Sequence, residues 1–195
     1  LDTPPEVEDA AEARPLESVR GEVHFEHVDF GYQPGTPVIR DMSLEARTGH
    51  ILALVGPTGA GKTTLMNLLT RFYEADAGRI TIDAQDIRDV KKADLRRHMG
   101  LVLQDTFLFS DTVMENIRYG RLDASDDEVI QAARMSDADH FIRQLPEGYQ
   151  TLLLERASNL SQGQRQLLSI ARAILANPAI LVLDEATSSV HTRTE

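Results

Sequence analysis

Apolar residues along this chain recur with two different periods, and the switches between them mark its elements. Val23, Phe25, Val28 and Phe30 alternate as strand residues do, with a break of phase after Phe25, and Pro34-Gly35 then marks a turn. Residues 51–55 form a continuous aliphatic run, read as a short strand entering a glycine-rich loop, and Lys62–Leu69 follows as a helix. Ile80-Thr81-Ile82 and Leu101-Val102-Leu103 are two further short strands. Residues 126–145 read as helical, with Asp126, Asp127 and Glu128 at the start, where the helix dipole favours negative charge. Residues 164–176 place Leu167, Leu168, Ala171, Ile174 and Leu175 along one helical face, and Asn177-Pro178 ends that helix. Ile180–Leu183 is then expected as a buried strand running into Asp184-Glu185. Strands alternating with helices predict an α/β domain around a mainly parallel sheet.

Residues 1–20 have a different texture. Pro4, Pro5 and Pro15 stand among Glu6, Glu8, Asp9, Glu12 and Glu17, the composition of an acidic, solvated linker. The chain opens at Leu1 and not at methionine, so a further segment is expected to precede it. The formal net charge of −11 argues against a nucleic-acid partner bound by general electrostatic attraction. With no cysteine, disulfides and thiolate metal sites are excluded. The six histidines (24, 27, 50, 98, 140 and 191) are scattered and read as surface or structural residues. No apolar run approaches membrane-spanning length, and the first twenty residues lack the apolar core of a secretory signal.

The candidate chemistry begins at Gly56-Pro57-Thr58-Gly59-Ala60-Gly61-Lys62-Thr63, the pattern G-x-x-x-x-G-K-[ST] placed between an aliphatic run and a helix. Glycines allow backbone N–H groups to converge on phosphate oxygens, and the following helix adds its positive dipole end. Lys62 supplies charge to the β- and γ-phosphates, and the Thr63 hydroxyl is a ligand for Mg²⁺. Asp184 and Glu185 follow a strand whose successive side chains point to opposite faces, so they cannot share one role. Asp184 is expected to hold Mg²⁺, which leaves Glu185 to polarise the attacking water. The cofactors expected are therefore ATP and Mg²⁺.

Leu160-Ser161-Gln162-Gly163-Gln164 resembles the signature motif of ATP-binding-cassette proteins, with Gln162 in place of the first glycine. The resemblance covers residues 21–195 and implies a P-loop ATPase domain with an N-terminal antiparallel β region and a helical subdomain at about residues 105–165. It also implies that Tyr32 stacks on adenine and that Thr64 joins the nucleotide contacts. Gln104 would reach Mg²⁺ and the attacking water, and so stands beside Glu185 as a catalytic residue. In this family ATP is sandwiched between two modules, with Ser161, Gln162, Gly163 and Gln164 of one facing the phosphate loop of the other. A second ATPase domain, identical or different, is therefore an implied partner.

The run from Asp105 to Ile117, with Phe107-Leu108-Phe109 at its centre, and the stretch from Leu154 to Asn159 are similar to exporter-type members. The closest likeness is to bacterial multidrug or lipid exporters with fused membrane and ATPase domains. That implies a transmembrane domain as partner, a groove near Phe107 that receives its coupling helix, and a place on the cytoplasmic face of the plasma (inner) membrane. The alternative is a soluble family member acting as a mechanical clamp on ribosomes or DNA; such proteins bring a second cassette or coiled-coil insertions, which do not appear in these 195 residues. Two departures are notable. His191 stands where the family has Asp, and the chain ends ten residues after Glu185, so C-terminal truncation, an absent switch histidine and low ATPase activity are expected.

Overall fold

The structure is a computed structural model that describes residues 8–103 and 106–184. The chain divides into two compact units, residues 1–99 and 100–195.

The first unit is built on β1 (Val23–Phe30), whose Val23, Phe25, Val28 and Phe30 are all buried. The phase break is real: the pairing register shifts between Phe25 and Val28, where His27 takes a left-handed φ of 50°. Pro34-Gly35 turns the chain, with Gly35 at φ 78° and Thr36 N–H donating to Gln33 O at 3.0 Å. β2 (Ile39–Ala46) returns antiparallel to β1, then come α1 (Lys62–Leu69) and β3 (Ala77–Ile82). β4 (Gln85–Asp86) pairs with β3 across Asp83-Ala84, both at positive φ, which gives the antiparallel order β2-β1-β3-β4. The antiparallel β region is thus present.

Residues 51–55 differ from expectation. They belong to no strand, and Ile51 and Val55 are 100% and 94% exposed. An aliphatic run gains nothing from an extended shape unless its backbone groups find partners, and none of the strands in this unit supplies them.

The described part of the acidic N-terminal stretch, residues 8–20, is largely exposed, yet Asp9, Arg14 and Leu16 are tied to the rest of the unit. Both Asp9 carboxylate oxygens accept from Lys92 N–H, 83 residues away, at the start of α2 (Lys92–Arg97). Arg14 exchanges backbone hydrogen bonds with Asp89 and Lys91, Leu16 is buried, and Leu16 O lies 2.9 Å from His98 Nε2. His24 is brought beside Glu22 and Glu45 by the β1–β2 register. Glu45 is already paired with Arg47 at 2.5 Å, which makes this a surface charge cluster.

The second unit pairs β5 (Met99–Val102) with β6 (Ile180–Leu183) and packs helices around an apolar cluster of residues between 108 and 175. The helices are α3 (Val113–Arg118), α4 (Asp126–Met135), α5 (Asp139–Ile142) and α6 (Gln162–Leu175). Val113, Ile117, Val129, Ile142, Leu153 and Leu168 are fully buried there. The helical stretch expected over 126–145 is two helices. Asp137 takes φ 63°, and Ala138 N–H returns to Ala133 O at 2.8 Å, closing α4. β6 is only half-buried, with Leu181 and Leu183 exposed at over two-fifths, so its aliphatic run does not mean full burial. Among the described residues no helix is long and apolar enough to cross a membrane.

Candidate nucleotide-binding site

The phosphate loop leads directly into α1. Gly61 is the N-cap of that helix at φ 91°, and a Cβ there would meet Ile39 Cδ1 at 2.6 Å. The left-handed backbone favours glycine, and a Cβ there would have to displace the tip of the Ile39 side chain. Gly59 likewise takes φ 85°. The Lys62 amine folds over its own loop, donating to Gly56 O at 2.7 Å and Pro57 O at 3.1 Å. This ammonium is thereby pinned above the loop.

Tyr32 lies against the same helix. Its hydroxyl is 3.1 Å from Thr64 Oγ1 and accepts from Asn67 Nδ2 at 3.3 Å. Two of the expected nucleotide contacts, Tyr32 and Thr64, are therefore brought together, and Asn67, which sequence reasoning did not single out, joins them. The only sequence signal for it is its place one turn beyond Thr64.

In the second unit, Ser161 is the N-cap of α6. Its Oγ accepts from Gln164 N–H at 3.2 Å, and Gln164 Oε1 accepts from Ser161 N–H at 2.9 Å. This reciprocal capping box means that the first and last polar residues of the signature fix the helix terminus. Gln162 and Gly163 form the first turn, whose N–H groups have no intrahelical acceptor. Ser161→Ala is expected to cost about 1 kcal/mol of stability. Thermal unfolding would read this as a fall of about 2–4 °C in Tm.

Asp184 follows β6, and its N–H donates to Val102 O at 2.9 Å, extending the β5–β6 pairing by one residue. Gln104, Glu185 and His191 lie outside the described residues.

Beyond the signature, Arg172 of α6 reaches the aromatic segment. It donates to Asn116 O and Phe107 O, both at 2.9 Å, and its guanidinium lies 5.6 and 5.4 Å from the Phe109 and Tyr119 ring centres. Burial lowers the Arg172 pKa from the ordinary arginine value. Buried Asn116 holds both the N–H and the carbonyl of Phe109. Leu108 points into the core, whereas Phe107 and Tyr119 stay 65% and 57% exposed. The apolar run read from the sequence thus splits into one core residue and an exposed aromatic patch.

Residues 39–188 match the family model described as ABC transporter. The chain belongs to the ABC transporter family. Among curated ABC transporters, it is 56% identical over 191 residues to the fatty acid ABC transporter ATP-binding/permease protein of Mycobacterium bovis, covering 97% of this chain and 30% of that protein. It is 48% identical over 195 residues to the ATP-dependent lipid A-core flippase of Syntrophus aciditrophicus, covering 100% and 32%. A solved bacterial Atm1-family ABC exporter with ATP bound superimposes with a TM-score of 0.90 at 45% identity, covering 98% of this chain and 34% of that one. The α/β fold is therefore that of an ABC transporter's ATP-binding part. The chain spans about a third of the length of these ABC relatives.

The residues present fit the phosphates of ATP: the loop carries a left-handed glycine at the start of α1 and a lysine cation held across it. Thr63 in the first unit and Asp184 in the second each offer a hard oxygen of the kind Mg²⁺ prefers.

Proposed function

We propose that this chain is the ATP-binding and ATP-hydrolysing module of an ABC exporter, working as one of a pair beneath a membrane domain. The observation that carries this reading is the phosphate loop: a left-handed glycine cap on α1 with the Lys62 amine held across the loop. The loop N–H groups and Lys62 take the phosphates, Tyr32 stacks on adenine, and Thr64 fixes the phosphate end against Tyr32. Thr63, Asp184 and Gln104 would hold Mg²⁺, which would supply charge neutralisation to the β- and γ-phosphates. Glu185 accepts the proton of the attacking water, and Gln104 orients that water.

Ser161 to Gln164 cap a helix whose open N-terminus suits the γ-phosphate of a nucleotide held by a second copy or a related module. The exposed Phe107, Phe109 and Tyr119 patch, braced by Arg172, is the surface we assign to the membrane domain. On this reading the module works at the cytoplasmic face of the plasma (inner) membrane. Fused ATP-binding/permease proteins among the relatives support this arrangement.

Phosphate release tests it. Hydrolysis is expected to require Mg²⁺ and to rise more steeply than in proportion to chain concentration, because each site needs the signature of a second chain. Release that stays absent at every concentration would contradict the ATPase reading, and a constant rate per chain would contradict the paired site.

A further inference from the structure

The ring of Tyr32 is fixed from several directions before any nucleotide arrives. Its hydroxyl is held by Thr64 and Asn67, which lie one turn apart on α1. Phe30 and Tyr73 pack against the ring in edge-to-face geometry, each with centroids 5.0 Å away and interplanar angles of 83° and 88°. Phe30 and Tyr73 also touch one another at 5.6 Å, closing an aromatic box, while 48% of Tyr32 remains open.

We infer that Asn67 and Tyr73 are positioning residues for the purine base: they pre-set Tyr32 on the helix that carries the phosphate contacts. The inference rests on Tyr32 being the ring that stacks on adenine. A freely rotating tyrosine loses side-chain freedom when a base settles on it, whereas a ring already locked does not. Because the hydroxyl is tied to α1, the base platform and Lys62-Thr63 share one rigid element, so the spacing between base and phosphates is set in advance. Thr64 is buried, and its hydroxyl partner is the tyrosine, which couples the two ends of the site through a single side chain.

The test compares Mg-ATP with Mg-tripolyphosphate, which offers phosphates and no base. Asn67→Ala and Tyr73→Leu are each expected to weaken ATP binding by about fivefold, the scale of one lost hydrogen bond or aromatic pair, and to leave tripolyphosphate binding unchanged. Tyr32→Phe keeps the ring and loses the hydroxyl, so adding Asn67→Ala to it is expected to cost nothing more. Equal losses for ATP and tripolyphosphate would overturn the inference, since they would mean damage to α1 itself. So would unchanged ATP binding in both variants. Tyr32→Ala separates this from the reading beneath it. If that variant binds ATP as the parent does, the stacking role fails. If it weakens ATP while Asn67→Ala and Tyr73→Leu do not, only the positioning role fails.

Discussion

Replacing Glu185 by glutamine is expected to lower ATP turnover by about a thousandfold while ATP stays bound, the scale of losing a positioned general base. Glutamine keeps the length and shape of the side chain but cannot take a proton from water. Asp184, one residue earlier, is assigned to Mg²⁺ and is not expected to substitute. The ground state loses little, so binding survives while the chemical step slows. If the site is paired as proposed, the trapped ATP would also hold two modules together. Within the fused transporter, phosphate release would fall, and the isolated module would run as an ATP-dependent dimer on sizing chromatography. Normal turnover in the variant would sink the assignment.

Lys62→Ala is expected to weaken ATP binding by about a hundredfold, from the loss of charge-assisted hydrogen bonds worth about 1.5–3 kcal/mol. The amine now donates to Gly56 O and Pro57 O, so it is held within the loop by exchangeable partners and needs no large movement to meet phosphate. Alanine is a good helix former at the start of α1, so the fold is expected to tolerate the change. Titration with a fluorescent ATP analogue, alongside thermal unfolding, separates the two effects. Unchanged affinity would remove Lys62 from the site.

Local pattern carried much of the fold. The alternation and phase break of β1, the Pro34-Gly35 turn and the bounds of α1 all rest on neighbours within a few residues. What the sequence did not disclose depends on distant partners. Asp9 looks like one more linker acid until Lys92 N–H is found beside it. The break at Asp137 depends on a left-handed residue that is not glycine, and the exposure of residues 51–55 depends on which strands pair. The same holds at the site. Phosphate-loop residues are legible because their spacing is their chemistry, while Tyr32 was legible only through family resemblance. Asn67 and Tyr73 carry no motif, because their relation to Tyr32 exists only once β1 and α1 are folded together.

The most direct measurement is calorimetric titration of unmodified ATP into the chain, with and without Mg²⁺. The expected result is saturable binding of one ATP per chain, strengthened by Mg²⁺ and displaced by tripolyphosphate. An absence of saturable heat at millimolar ATP, with the chain shown to be folded, would contradict the claim that this is an ATP-binding module.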